Sequence, residues 1–317
     1  MILSILLFLL GFCILIKGSD VLIEGGISIA KRLHISSWVI GITIIGIGTS
    51  IPEFSVTFLA SLKGEFDIGL GTVIGSNTFN ILAILGLIAI IYPVHVKERW
   101  VRQDLTVNIL AVFSAAMVAI FPIFGGNFFE ITRGEGLILL VLFLVWISHE
   151  VLKNGVDRVD EKKEPSLKIF SPYVSFFMIF GGLVGVILGA DWVVGGAKTI
   201  ASYLGISESV IGLTIVGIGT SVPELAVSLR AARRRNYGIS LGNIIGSNIF
   251  DFWGIFGVAA VFGVIKVPRE LIFDFGVTLI AALILMAMMF IGIRNVLQRW
   301  QGAVMIVAYA FYLFFTL

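Results

Sequence analysis

Two stretches of this 317-residue chain each carry one formal charge inside a long apolar run. Glu53 stands alone between Arg32 and Lys63, and Glu224 stands alone between Glu208 and Arg230. Each closes a near-copy of one string, VIGITIIGIGTSIPE at 39–53 and VIGLTIVGIGTSVPE at 210–224, identical at twelve of fifteen positions. A carboxylate in an apolar span is costly and is kept where it meets a partner, a cavity or an ion path. Its recurrence at matched positions predicts a pseudo-twofold binding site within a membrane.

Composition places the chain in lipid. It is 58% apolar and 13% charged, with a mean hydropathy of +1.06, whereas a soluble domain is about 25% charged. The net charge of +2 gives no support for a nucleic-acid partner. The single cysteine, Cys13, excludes an internal disulfide and any multi-cysteine metal site, and reads as a small apolar core residue. The opening MILSILLFLLGFCILIKGSD lacks a basic leading segment and a small-x-small cleavage site, so it reads as a retained first spanning helix.

Apolar segments of about 20 residues or more, separated by charged or turn-forming clusters, predict ten spans. They run near 2–30, 36–62, 68–93, 105–123, 135–152, 170–199, 207–229, 239–265, 271–292 and 298–316. Alternate connections differ in charge: 31–34, 95–104, 153–169, 230–237 and 294–299 hold sixteen Lys and Arg, and the opposite set with its flanking helix ends holds five. Basic connections stay cytoplasmic. Both termini are therefore predicted outside the cell membrane, with Arg233, Arg234 and Arg235 inside. The polar stretch 153–168 reads as a solvated cytoplasmic linker between two halves.

Aligning residue i with i+171 pairs Asp20 with Asp191, Glu53 with Glu224, Gly71 with Gly242 and Asn80 with Asp251 without a gap. Five spans separate the copies, and an odd number inverts the second in the membrane. The predicted fold is an all-α polytopic membrane protein of ten helices in two inverted five-helix repeats, with broken helices 2 and 7. The first repeat is 1–152, with its core motif at about 36–92. A linker at 153–169 leads to the second repeat, 170–317, with its core motif at about 207–263. Such repeats place substrate sites near the midplane, where the halves meet.

Pro52 and Pro223 cannot donate to the carbonyls of Gly48 and Gly219. Unwinding there is expected to free carbonyls around Gly46–Thr49 and Gly217–Thr220. Carbonyls, threonine hydroxyls and a carboxylate form the oxygen set that hard cations prefer. Ser50-x-x-Glu53 and Ser221-x-x-Glu224 also have capping-box spacing, so each glutamate could serve as a cap. A second pair, GTVIGSNTFN at 71–80 and GNIIGSNIFD at 242–251, puts Ser76 with Asn80, and Ser247 with Asp251, on shared helix faces. Glycines 71, 75, 242 and 246 suit close helix packing, and Asn77 and Asn248 are expected to point elsewhere as interhelical hydrogen-bond formers. Three carboxylates and one amide would then converge. Their charge requires cations or protons, and one divalent ion or several monovalent ions would serve.

GIGTSIPE with GSNTFN, and GIGTSVPE with GSNIFD, resemble the paired repeats of the cation/calcium exchanger superfamily, in its prokaryotic sodium/calcium exchanger branch. The resemblance spans both repeats. It implies a secondary antiporter exchanging Ca2+ for Na+ by alternating access, with no enzymatic activity, no cofactor and no obligate protein partner. It implies Glu53 and Glu224 as central ligands of both ions. Thr49 and Thr220, Ser76 and Ser247, and the carbonyls of Gly46 and Gly217 are implied sodium ligands, with Asn80 and Asp251 completing the centre and Ser50 and Ser221 as support. Spans 1 and 6 are implied to slide across the rest. Gly46 and Gly217 replace a common alanine, and large calcium-sensing domains are absent. Ca2+/H+ or K+-dependent Na+/Ca2+ exchange stays open as the alternative, followed by a cation channel. The histidines His34, His95 and His149 form no HExxH motif, and no GxSxG occurs. Lys17, Asp20 and Glu24 share one face of span 1, either as part of a moving surface or as a static salt-bridged stripe.

Overall fold

The computed structural model describes residues 2–316 except 34, 65, 122, 126, 155–168 and 205–216. The helices are α1 (Ile2–Leu33), α2 (Ser37–Ile40), α3 (Gly46–Thr49), α4 (Ile51–Lys63), α5 (Phe66–Thr78), α6 (Leu85–Ile91), α7 (Glu98–Arg102), α8 (Asp104–Ile120), α9 (Arg133–Asn154), α10 (Pro172–Tyr203), α11 (Gly217–Gly219), α12 (Val222–Arg233), α13 (Tyr237–Ile249), α14 (Phe256–Phe262), α15 (Leu271–Met288) and α16 (Arg299–Thr316). Seven stretches among the described residues are long and apolar enough to cross a membrane, and eight if the bent pair Ser37–Thr49 and Ile51–Leu62 counts as one span. Leucines, valines and phenylalanines from Leu6 to Phe315 cover the outer surface. An apolar exterior of this kind suits lipid and not water.

Several long stretches are not simple α-helices. Wider π turns occupy Gly41–Ile45, Phe79–Ile84 and Phe250–Ile255. The last two match at a spacing of 171 residues, and π turns commonly mark functional sites. The expected breaks are present at Ser50 and at 220–221. Ser50 (φ −83°, ψ 10°) and Ser221 (φ −90°, ψ 6°) adopt one conformation, and a proline follows each in the first turn of the next helix. That is where proline's missing N–H is harmless. The axis bends by 47° at Ser50. The two hydroxyls make no helix cap, so the serine half of each predicted capping box is not formed.

Two short antiparallel ladders tie distant segments together. β1 (Val94–His95) pairs with β4 (Val296–Leu297), and β2 (Glu130–Ile131) pairs with β3 (Ile265–Lys266). Each joins one half of the chain to the other.

The apolar interior divides in two. A large cluster runs from Trp38 through Leu70–Ile88, Ala111–Ala119 and Ile244–Phe256 to Met305. A smaller one gathers Leu15, Leu22, Ile23, Val186 and Val193 with Ile40, Ile45, Val227 and Ala231. The smaller cluster contains the antiparallel pair α1 and α10. Gly11 faces Gly189, Gly18 faces Gly182 and Gly185, and Gly182 lies against the Leu22 backbone. Glycines recur every seven residues on both helices, at 11, 18, 25 and at 182, 189, 196, again offset by 171. Small residues let membrane helices approach backbone to backbone, where dispersion replaces the hydrophobic drive.

At the far end of α12, Arg230 grips Asp20 through Nε (3.0 Å) and Nη2 (2.6 Å to Oδ1). Arg234 reaches Asp20 at 2.8 Å and Glu24 at 3.0 Å. Asp20 and Glu24 thus belong to a salt-bridged stripe, while Lys17 and Asp191 are exposed. Cys13 is also exposed on α1. This corrects the expectation of a core residue: the buried face of α1 follows the glycines, and Cys13 sits off it. Most of the predicted linker, and His34, lie outside the described residues, and α9 extends to Asn154, two residues into the linker's predicted start.

A Cβ on Gly182 would sit 2.6 Å from the Leu22 amide nitrogen, whereas Gly181 has nothing within 4 Å. Gly182→Val should cost about 1–3 kcal/mol or more, since backbone cannot yield as a side chain does. Gly181→Ala should be tolerated. Thermal unfolding in detergent checks both.

Candidate functional site

Each glutamate opens the helix that follows a break, Glu53 in α4 and Glu224 in α12, and both are buried. Four serine hydroxyls serve them in a crossed pattern. Ser76 and Ser221 both lie 3.3 Å from Glu53 Oε1. Ser50 (3.2 Å) and Ser247 (3.3 Å) both address Glu224 Oε1. Each carboxylate therefore receives one hydroxyl from its own half and one from the other, and neither half alone can complete the set.

Thr49 ends α3, and its hydroxyl donates 2.9 Å to Asn243 Oδ1. Thr220 lies in the second break, 3.3 Å from the Ser76 hydroxyl. Asn80 and Asp251 sit in the two matched π turns, and each bonds an asparagine of the other half. Asp251 Oδ2 accepts from Asn77 Nδ2 at 2.8 Å, and Asn80 Nδ2 donates to Asn248 Oδ1 at 3.1 Å. Asn77 and Asn248 were expected to point elsewhere. They are indeed interhelical partners, but of the two π-turn residues themselves. One helical turn separates residue 77 from 80 and 248 from 251, so the same crossing that joins the halves brings them together.

The expectation of freed carbonyls needs a similar correction. The Gly46 carbonyl accepts the Ser50 N–H at 3.2 Å and lies 3.0 Å from the Ser247 hydroxyl. The break bends the helix without opening it at this carbonyl. Gly217 begins α11, and the Ser221 N–H, the counterpart of the Ser50 N–H, donates instead to the Ile218 carbonyl at 3.0 Å. Close packing of the second glycine pair is seen: Cβ atoms on Gly242 and Gly246 would meet the backbone of Trp38–Ile42. A Cβ on Gly71 or Gly75 meets nothing within 4 Å among the described residues.

Four oxygens of the predicted ligands remain without a donor among the described residues, Glu53 Oε2, Glu224 Oε2, Asp251 Oδ1 and Asn80 Oδ1; beside them Asn77 Oδ1 also lacks a donor and Asn248 Nδ2 lacks an acceptor. All four residues are about 1% exposed or less. Buried acceptors are normally satisfied, and leaving one unmade costs about 1–3 kcal/mol, more for a charged group. Among the described residues no three His, Cys, Asp or Glu side chains form a metal-holding group by themselves. A cation here has to draw on neutral oxygens as well as acids, which the surrounding hydroxyls and amides provide.

The fold and site together define a polytopic helical membrane protein with a buried acidic pair between two matched helix breaks. Residues 3–151 and 174–317 match the family model described as sodium/calcium exchanger protein. The chain is 38% identical to the uncharacterized membrane protein MJ0091 of Methanocaldococcus jannaschii, over 98% of this chain and 96% of that one. It is 29% identical to the sodium/calcium exchanger MaX1 of Methanosarcina acetivorans, over 98% and 97% of the two chains. Among solved structures it is similar to the sodium-calcium exchanger NCX_Mj soaked with Na+ and Ca2+, with a TM-score of 0.82 and 36% identity over 99% and 98% of the chains. The chain belongs to the sodium/calcium exchanger family, a family of transporters and not of enzymes.

Sequence reading passed over two buried side chains at this site. Asn243 and Ser228 join the site through a relay: Asn243 Nδ2 donates 2.9 Å to Ser228 Oγ. The available signal was the mismatch of Asn243 with Thr72 inside otherwise parallel motifs.

Asn77→Ala removes the donor that Asp251 Oδ2 faces. Stability should fall by about 1–3 kcal/mol, and Asp251→Asn in the same chain should recover part of the loss because the stranded group is then neutral. Thermal unfolding of the single and double variants measures this.

Proposed function

We infer that this chain is a secondary active antiporter exchanging Ca2+ for Na+ by alternating access. The observation that carries the reading is the set of four buried acceptor oxygens that face no donor. Acceptors gathered without donors have a cation as their natural partner, and hard cations take oxygen ligands of mixed charge. Family membership supports the choice of ions.

In this reading Glu53 and Glu224 are the central ligands of both ions. Thr49, Thr220, Ser76 and Ser247 supply hydroxyl oxygens, Gly46 and Gly217 supply carbonyls, and Asn80 and Asp251 close the centre. The Gly46 oxygen accepts the Ser50 N–H and has the Ser247 and Thr49 hydroxyls beside it, so it takes an ion when those hydroxyls turn their protons elsewhere. Ser50 and Ser221 hold the carboxylates from the opposite half. With three ionised acids the centre carries up to three negative charges, which one divalent or several monovalent ions offset. An uncompensated centre crosses between faces only at high cost, and that cost couples the two fluxes.

The architecture proposed is ten helices in two inverted repeats, 1–152 and 170–317, joined by a cytoplasmic linker at 153–169. The matched π turns, the matched breaks and the ladders between halves support it. The α1–α10 pair, with its own apolar cluster, is the body that moves against the rest. Charge asymmetry between connections supports a cell-membrane protein with both termini outside.

Calcium flux in proteoliposomes under separately imposed Na+, H+ and K+ gradients tests the reading. A sodium gradient should drive calcium uptake. Calcium efflux with no counter-ion present would instead make the protein a channel, and a proton or potassium requirement would reassign the counter-ion. Glu224→Gln should abolish exchange while the protein still inserts and purifies normally. Metal ligands bind only when deprotonated, so wild-type uptake should weaken as the medium is acidified, and uptake that stays constant through the acid range would count against a carboxylate site.

A further inference from the structure

Apart from Asn80 against Asp251, the two halves of the site carry matched ligand residues but not the same hydrogen-bond polarity. Asn243 on α13 is fully buried. Its Nδ2 donates to the Ser228 hydroxyl (2.9 Å) and to the Glu224 backbone carbonyl (3.3 Å). A backbone carbonyl only accepts, so the amide nitrogen must face it, and Oδ1 must face Thr49. The Thr49 hydroxyl then has three acceptors beside it, Asn243 Oδ1 at 2.9 Å, the Gly46 carbonyl at 3.3 Å and the Glu224 carboxylate on the pocket side. Asn243 Oδ1 draws its one proton away from the pocket. Whatever approaches Thr49 Oγ1 from the pocket meets only lone pairs.

Among the described residues Thr220 has no such anchor. The position matched to Asn243 is Thr72, whose hydroxyl returns to its own helix at the Ile68 carbonyl (2.7 Å). The neighbours of Thr220 are the Ser76 hydroxyl at 3.3 Å, where either group can donate, and the Glu53 carboxylate on the pocket side. Among the described residues no acceptor behind Thr220 draws its proton away from that carboxylate.

We propose that Asn243 is a positioning residue that commits the Thr49 hydroxyl to cation coordination and makes the Glu224 half of the site a preorganised sodium acceptor. The proposal rests on the antiporter reading and deepens it. Groups behind a ligand that fix its orientation commonly govern metal affinity by 10–100-fold, as a rough guide. The effect should be ion-selective. A divalent ion gains most from the carboxylates, because Coulomb attraction scales with its charge. A monovalent ion depends more on neutral oxygens already pointing the right way.

The test is sodium-driven calcium exchange in proteoliposomes with Asn243→Thr, which gives the second half the residue that the first carries. The half-saturating sodium concentration should rise about tenfold, with a smaller change for calcium. Thr49→Val should reproduce the sodium defect, and the Asn243→Thr/Thr49→Val double variant should be no worse than Thr49→Val alone. Asn243→Thr combined with Thr220→Val should be additive, because Thr220 does not touch Asn243. An equal loss for both ions, or additivity with Thr49→Val, would reduce Asn243 to a packing role and overturn the proposal. If Asn243→Thr does not fold, the two threonine variants still decide it: Thr49→Val must cost more sodium affinity than Thr220→Val, and the reverse order overturns it. Failure of the antiporter reading looks different, since wild-type protein would then show no sodium-dependent calcium flux at all.

Discussion

Two carboxylates that cannot be satisfied from one side organise this molecule. Glu53 and Glu224 lie in the interior of a membrane protein, where water is not available to solvate them, and each draws its hydroxyl donors from both halves of the chain. The demand reaches outward. To bring Ser221 to Glu53 and Ser50 to Glu224, both breaks must sit at one level and face one another. For Asn77 and Asn248 to serve the opposite π turns, α5 and α13 must cross closely. The glycine-lined face of α13 packs backbone to backbone against Trp38–Ile42, the segment that leads into the first break.

Local backbone chemistry prepares that meeting. Proline after Ser50 and after Ser221 starts a new helix and does not merely interrupt an old one, so each glutamate falls in a first turn. Unpaired N–H groups and the helix dipole favour negative charge there. The π turns at Phe79–Ile84 and Phe250–Ile255 each add a residue to the turn, and the added residue redirects Asn80 and Asp251. Breaks and bulges that would weaken an ordinary helix are tolerated at this depth because protein, not lipid, surrounds them.

Much of this was legible beforehand for a physical reason. An isolated charge in an apolar run is conspicuous, and duplication makes it more so. Glu53, Glu224, Ser76, Ser247, Asn80 and Asp251 could be named, and the breaks located, from spacing and proline chemistry alone. What could not be read was the pairing across halves. No local rule says that Ser50 should prefer a glutamate 174 residues away to the N–H groups of its own helix, or that Asn77 should meet Asp251. The capping spacing was a true local signal overridden by a distant acid. The glycine seam between α1 and α10 was present as a heptad in plain view, yet its meaning needs two helices at once. Cys13 was misplaced for the same cause: in lipid, apolarity no longer distinguishes inside from outside.

The ion-pair group at the end of α12 has no twin. Asp20, Glu24, Arg230 and Arg234 correspond through the repeat to Asp191, Gly195, Leu59 and Lys63, a set that lacks both the second acid and the first arginine. On the proposed motion of the α1–α10 pair, sliding α1 along α12 parts several charge-assisted bonds, and the matched positions of the sequence do not supply a like set in exchange. A sequence otherwise doubled is in this respect lopsided. On that proposal the conformers start from different depths, and their resting populations are skewed before any solute arrives.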